Sequence, residues 1–389
     1  MHFLYVGYYV DDSVFYEILN RKINNMSVAR QKFEYNLLSH LGTAIAEGDT
    51  IDYISYVPTK DGFEIPEYSM IGDAKMYHIP INKSNVDSMH EASRRFSRYL
   101  KSLGEEKLRD LRVIMYDVNP LFLVPLLKMR KKYGMKLVMV CAELPCMRRG
   151  NGQFRYKVRN KIFSYYANRF DGYVLFAEAM TEKLNSKNKP HIVVEGIAPE
   201  LFGEPKPNKK NIIMYAGGFA PDNNVRMMVD VCMHLPQIDE LWLCGGGPDA
   251  AYVEENAKKE PRIRYFGMVE NSKVRELETQ AKLLLNVRNP EVELTKYSFP
   301  SKLLEYVASG SMVLSSRLAG IPEEYFQHFV PLDRVDAESF ERALSEIFSM
   351  DDEAYVNKCK QAQAFISEHK NANVQASRII AFVKSSFPQ

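Results

Sequence analysis

Two cations and one glutamate have the types and spacing to do chemistry on a phosphorylated ligand. Lys302 and Glu305 stand three residues apart in TKYSFPSKLLEYVASGSMVLSS (Thr295–Ser316), and Arg288 follows the apolar run Leu283–Val287. Pro300 suits the first helical position, where its missing N–H costs nothing; Ser298 is a candidate N-cap and Gly310 a C-terminal cap. The segment predicts a helix over Pro300–Ser309 that turns Leu303, Leu304 and Val307 to a sheet and closes before a strand at Met312–Ser316. A helix start offers unpaired N–H groups and partial positive charge to a phosphate. Ser301 lies in that turn, Lys302 adds a full charge, and Glu305 could accept hydrogen bonds from a ribose diol. A solvated Lys–Glu pair on an ordinary surface helix has the same spacing. Arg288, at a strand's carboxyl end, lies where ligands bind in α/β folds and matches phosphate with two parallel hydrogen bonds. Pairing with Glu291 or Glu293 would make it a rim residue instead.

Glycines punctuate two further strand ends. Gly217 and Gly218 follow Ile212–Ala216, and Gly245, Gly246 and Gly247 follow Leu241–Cys244. Such positions let the backbone approach a ligand or adopt positive φ, although any tight turn uses glycine. Neither cluster matches Gly-x-Gly-x-x-Gly at the start of a unit, and Gly-x-x-x-x-Gly-Lys-Ser/Thr is absent, which counts against dehydrogenases and P-loop kinases. The eight histidines are scattered, no His/Cys cluster has zinc spacing, and there is no Asp-x-Asp pair, so no metal is expected. The cysteines number five, with no Cys-x-x-Cys, which suggests reduced thiols in a cytosolic protein.

The elements that must position these residues follow from an alternation of short apolar runs with amphipathic stretches, the pattern of parallel sheets covered by helices. The first half predicts strands at His2–Tyr9, Ile51–Tyr56, Met76–Ile81, Val113–Tyr116, Lys136–Cys141, Gly172–Phe176 and Ile192–Glu195. Its helices are expected at Val28–Glu47, Ser88–Ser102, Pro120–Lys132, Phe154–Phe170 and Glu178–Asn185. The stretch GIAPELFGEPKPNKKN (Gly196–Asn211) has no apolar period and reads as a linker. Alternation then restarts, ending in a strand at Phe329–Leu332 and helical pattern over Glu353–Phe387. The expectation is two doubly wound α/β domains, 1–198 and 211–370, joined by a linker at 199–210, with a cleft between them as the site. A last helix at 371–389 is expected to pack back on the first domain.

Composition excludes other classes. The 389 residues carry 51 Lys+Arg against 49 Asp+Glu, a net charge of +2, which counts against a general nucleic-acid binder. Apolar residues at 46% and charged ones at 26% match a globular chain with enough length for two cores. No apolar run reaches the roughly 18 residues that cross a bilayer, and the N-terminus reads as a first strand rather than a signal peptide.

Several motifs together resemble a known family. YAGGF…NN (Tyr215–Asn224), LWLCGGGP (Leu241–Pro248), RIRYFGMV (Arg262–Val269), LLLNVRNP (Leu283–Pro290) and SFPSKLLEYVASGSMVL (Ser298–Leu314) stand in the order and spacing of the C-terminal domain of GT-B glycosyltransferases. The chain is most similar to the large retaining group of bacterial polysaccharide and glycolipid transferases, family 4-like. The resemblance implies a GT-B fold of two Rossmann-like domains, a nucleotide sugar bound by the second, an acceptor bound by the first, and transfer with retention. It implies donor contacts at Gly217, Gly218, Gly246, Ser301, Lys302 and Glu305. Glu305 matches the second glutamate of the family's Glu-x7-Glu element and would hold the ribose. The first falls on Tyr297, a departure for which Glu293 is a candidate substitute. The family's Arg and Lys after the first strand of this domain fall on Gly218 and Asn223, which leaves Arg288 and Lys302 as the catalytic candidates at the diphosphate. Fixed cations there offset the charge that develops as the glycosidic bond breaks. No side chain stands out as nucleophile, consistent with the family's proposed front-face mechanism. Asp117 and Glu143, at strand ends, are candidates to orient the acceptor, or else loop caps. A sugar-nucleotide epimerase on the same fold and a catalytically silent nucleotide- or partner-binding subunit are the alternatives.

One segment points to a membrane surface. Met147–Phe170 holds seven cations, Arg148, Arg149, Arg155, Lys157, Arg159, Lys161 and Arg169, interleaved with aromatics and no acid. It suits an anionic bilayer and a lipid-linked acceptor met by a cytoplasmic, peripheral enzyme. A solvated face whose aromatics pack on the sheet is the alternative. No nucleic-acid motif accompanies it.

Overall fold

The computed structural model describes residues 1–24, 27–60, 63–82, 84–144 and 154–388. The chain divides into two compact units, Met1–Ile197 with Ala372–Gln389, and Ala198–Asn371. In the first, β1 (His2–Gly7) leads through α1 (Asp12–Asn20) and α2 (Val28–Ala44) to β2 (Thr50–Pro58), β3 (Tyr68–Ile71) and β4 (Ala74–Ile81). There follow α3 (Val86–Ser102), α4 (Gly104–Arg109), β5 (Leu111–Tyr116), α5 (Pro120–Tyr133), β6 (Lys136–Cys141), α6 (Phe154–Ala167), β7 (Gly172–Leu175), α7 (Thr181–Leu184) and β8 (His191–Val193). The sheet order is β3-β4-β2-β1-β5-β6-β7-β8. Every pairing is parallel except β3 with β4.

The second unit runs β9 (Ile212–Gly218), α8 (Val225–His234), β10 (Glu240–Gly246), α9 (Ala250–Ala257), β11 (Ile263–Gly267), α10 (Asn271–Gln280) and β12 (Leu283–Asn286). It continues α11 (Glu293–Lys296), α12 (Lys302–Ala308), β13 (Met312–Ser316), β14 (Val330–Leu332), α13 (Ala337–Phe348) and α14 (Asp352–His369). Its all-parallel sheet has the order β11-β10-β9-β12-β13-β14. Strand order reverses at β9, and in such sheets the crevice beyond the carboxyl ends at the reversal is where ligands bind. The strands here are buried on both faces, as parallel sheets are. One core gathers Ile213, Leu243 and Leu285 with α8 and α13; the other gathers Met214, Leu284 and Val313 with α12 and Phe365 of α14.

Several elements depart from the expectation, among them the four-residue helix α11 (Glu293–Lys296), where no helix is expected. The antiparallel strand β3 and the helices α1 and α4 are additions; β3 is four residues long and turns into β4 through Gly72, at φ 56°, too short for alternation to register. The stretch expected as a linker is packed against the second unit: a Cβ on Gly203 would lie 2.1 Å from the Ser309 carbonyl oxygen. Lys209 Nζ there donates to Ala281 O and Ser311 Oγ, both at 2.8 Å.

The last helix, α15 (Ala372–Ser386), lies in the first unit beside α2. Its Ile379, Ile380 and Val383 share a core with Leu37, Leu38 and Leu41. Lys384 Nζ meets Asp49 Oδ2 at 2.7 Å, and Arg112 Nε donates to the Phe387 carbonyl at 2.9 Å. The cysteines Cys141, Cys232, Cys244 and Cys359 are buried and unbridged; Cys146 lies outside the described residues.

Candidate functional site

At the carboxyl ends of β9 and β10 the backbone itself forms the wall of a cavity of about 360 Å³. Gly217, Gly218, Gly245 and Gly246 line it with Met268, Val269 and Val274. Gly245 has φ 138°, and a Cβ there would fall 1.9 Å from the Gly217 carbonyl oxygen. Only glycine allows the two strand ends to come this close. Two bonds lock the loops beyond them, Phe219 N to Gly246 O at 2.8 Å and Asp249 N to Phe219 O at 3.0 Å.

Beside this wall the structure brings Lys302 and Arg288 together around Tyr215. The Tyr215 hydroxyl donates to the Gly218 carbonyl at 2.9 Å, which holds the ring at the end of β9. The Lys302 ammonium lies 4.1 Å from the centre of that ring and 5.6 Å from that of Tyr306. Tyr306 in turn anchors α12 to β9: its hydroxyl accepts from Ala216 N at 3.1 Å. Burial pushes the Lys302 ammonium down to about 7, the Arg288 charge pushes the same way, and Glu278 opposes both. Burial also lowers Arg288, with Tyr215 and Asp222 opposing, and raises the Tyr215 hydroxyl to about 12. Two neighbouring cations, each disfavoured by desolvation, make a place where an anion is stabilised.

The helix start itself differs from the expectation. The helix α12 begins at Lys302 and has seven residues, because Pro300 and Ser301 form the preceding turn. Leu303 N and Leu304 N bond the carbonyls of Pro300 and Ser301 at 3.0 and 3.2 Å. Ser298 is not its N-cap; its hydroxyl donates to Leu294 O at 3.0 Å. Ser301 is exposed and makes no capping side-chain bond. An anion placed here would meet the two cations rather than a row of leading amides.

The other sequence candidates are spread around this centre. Glu305 lies 3.7 Å from Arg275 on α10, one residue after the cavity-lining Val274. Tyr297 is buried at the end of α11 with the Lys296 ammonium 5.6 Å from its ring, and Glu293 is exposed at the start of that helix. Glu143 is exposed just after β6. Lys157, Arg159 and Lys161 are exposed on α6; Arg148, Arg149 and the side chain of Arg155 lie outside the described residues.

Asp117 belongs to a cluster in the first unit that periodicity could not reveal. It follows β5 at φ 62° and meets Arg30 at 3.4 Å. The Arg30 guanidinium lies 4.5 Å from the centre of the Tyr8 ring and 4.8 Å from that of Tyr116. Glu34, one helical turn on, is fully buried and accepts from Tyr5 Oη at 2.8 Å and Tyr8 N at 2.9 Å, which leaves Oε2 without a partner. Burial raises its carboxyl to about 6 against the pull of Arg30. Tyr8 and Asp117 follow β1 and β5, where this sheet's order reverses. Its residues, Tyr8, Arg30, Glu34 and Asp117, are widely separated in the sequence, so alternation gives no signal for the cluster.

Comparisons with known proteins fit this geometry. Residues 210–350, somewhat over a third of the chain, match the sequence profile of the family Glycosyl transferases group 1. No curated protein matches the chain as a sequence. Solved structures that share its fold include the lipopolysaccharide outer core galactosyltransferase WaaB, with a TM-score of 0.63, 13% identity and 100% of both chains covered. Another is a glycosyltransferase from Rickettsia africae, with a TM-score of 0.64, 12% identity, 100% of this chain and 99% of that one. A third is Anabaena HepE in complex with UDP-glucose, with a TM-score of 0.62, 10% identity, 99% of this chain and 100% of that one. The chain therefore has the GT-B fold, and its second unit carries the sequence signature of the Glycosyl transferases group 1 family.

Proposed function

We propose that the chain is a glycosyltransferase that moves a hexose from a nucleotide sugar to a glycan or lipid-linked acceptor, with retention of configuration and without a metal. The observation that carries this reading is the placement of Lys302 and Arg288 around Tyr215, beside the glycine-walled cavity and within the segment that matches the family profile. As the glycosidic bond breaks, negative charge grows on the departing diphosphate. Two fixed cations in a half-buried setting stabilise that charge more than water does. Glycine backbone lets the nucleotide lie against the strand ends, and Glu305 would take the ribose.

HepE is known in complex with UDP and with UDP-glucose, which makes UDP the first donor base to test. In the first unit, the Arg30–Asp117 pair beside Tyr8 offers hydrogen-bond partners of the kind that would hold an acceptor sugar. The setting that fits is cell-surface polysaccharide or glycolipid assembly at the cytoplasmic face of a membrane. A second reading, a nucleotide-binding but silent subunit, is favoured by Tyr297, which buries an aromatic ring where the family places a glutamate.

The test is incubation with a panel of sugar nucleotides. Transfer or slow hydrolysis of one donor, unchanged by EDTA, is expected. A rearranged sugar would mean an epimerase, and binding without turnover would mean the silent subunit.

A further inference from the structure

We propose that the outward face of α6 is a docking surface for an anionic lipid bilayer. At about 100° per residue, Phe163 and Ala167 fall on one side of this helix, and both are buried. Phe154, Val158, Ile162 and Tyr165 follow one another at steps of four, four and three and share an arc of about 80° on the opposite side. All four are exposed, Phe154 at 82%. A helix with one face already turned to its own core ordinarily presents polar residues to water on the other. This one presents a second apolar stripe.

Charge borders that stripe. Lys157 and Lys161 fall along one edge and Arg159 beyond the other, all exposed. The Arg169 guanidinium sits 3.4 Å from the centre of the Tyr165 ring. No acid occurs from Met147 to Phe170. A second copy of the same face is a poor occupant, because two-fold pairing would set cations against cations. Nucleic acid is also poor, since aliphatic Val158 and Ile162 would face its phosphates. An anionic bilayer satisfies both parts: the apolar side chains enter the acyl boundary while the lysine stems lie along it and lift their ammonium groups to the lipid phosphates. Among the described residues no helix is long and apolar enough to cross a membrane, so attachment through α6 would be along the surface.

The inference does not depend on the transferase reading, because its readout is lipid binding alone. The full chain is sedimented with vesicles of phosphatidylcholine mixed with phosphatidylglycerol, and with vesicles of phosphatidylcholine only. Binding to the mixed vesicles is expected, with at least about a tenfold loss on the neutral ones and in high salt. The double variants Lys157→Glu/Lys161→Glu and Phe154→Ser/Ile162→Ser should each lose about tenfold or more, with an unchanged circular dichroism spectrum because these side chains are exposed. No binding to either vesicle would overturn the proposal, and so would binding that both variants retain in full. Self-association of the chain in lipid-free solution that Phe154→Ser/Ile162→Ser abolishes, without vesicle binding, would reassign the face to a protein partner.

Discussion

The ammonium of Lys302 rests 4.1 Å from the centre of the Tyr215 ring, and the hydroxyl of that ring holds the Gly218 carbonyl at the wall of the cavity. One aromatic side chain thus ties the cation on α12 to the strand end on β9. The face of a tyrosine ring attracts a cation without neutralising it, so the charge remains available to an anionic ligand. Replacing either cation tests this directly. Lys302→Ala and Arg288→Ala should each weaken UDP binding by about tenfold or more, the worth of a charge-assisted hydrogen bond. Isothermal titration calorimetry reads the change, and unchanged affinity in both variants would remove them from the donor site.

Protonation should be linked to binding. Lys302 sits at about 7 when the site is empty, so at pH 8 it is largely neutral, and a diphosphate brought beside it favours the charged form. Nucleotide binding at pH 8 should take up a proton and weaken as pH rises, while at pH 6 no uptake is expected. Calorimetry in two buffers of different ionisation enthalpy measures the uptake, and Lys302→Met should abolish it. The empty protein shows the opposite sign in stability. The folded value lies below the ordinary 10.5, so the unfolded chain holds more protons between these limits and this residue's penalty on folding fades as pH rises through that window.

Gly245→Ala should damage the cavity wall. Its φ of 138° is foreign to alanine, and the added carbon would meet the Gly217 carbonyl oxygen at 1.9 Å. A loss of about 2 kcal/mol or more is expected from backbone strain of this kind, read as a lower urea midpoint together with loss of UDP binding. Gly267→Ala is a useful control, since nothing lies within 4 Å of its Cβ position and its cost is that of the positive φ alone.

Glu34 makes the first unit sensitive to pH. Its carboxyl is raised to about 6 from 4.5 by burial, so the folded state holds the proton more tightly than the unfolded state. The stabilisation is present in full below about pH 4.5 and is lost as pH rises through about 6, a difference of about 2 kcal/mol. Glu34→Gln should flatten the pH dependence of the urea midpoint in that window. An unchanged profile would mean that Glu34 is ionised throughout.

The acceptor reading has its own test. Arg30→Ala should raise the KM for acceptor about tenfold while leaving UDP affinity untouched, because Arg30 pairs with Asp117 in the first unit and the cations proposed for the diphosphate, Lys302 and Arg288, lie in the second. Equal losses for donor and acceptor would argue against that division of labour.

Much of this was legible from local pattern. Alternating apolar runs predict parallel sheets because a strand buried on both faces is nearly continuously apolar, as Leu283–Leu285 is. Arg288 and the glycines after β9 and β10 are legible because a strand's end is marked in the residues that follow it. The start of α12 was not, because Pro300 and Ser301 form a tight turn that no spacing rule separates from a helix's first turn. The apolar stripe on α6 was hidden among aromatics until burial divided Phe163 from Phe154 and Ile162.

By itself, then, the amino-acid order determined much of the succession of strands and helices and which strand ends carry glycine or a cation, since these are written within a few neighbouring residues. The tertiary structure alone decided that Tyr215 lies under Lys302, that Arg30 meets Asp117, and that α15 closes on α2. Those contacts join residues far apart in the chain, and they depend on the order in which strands enter a sheet, which local periodicity does not encode.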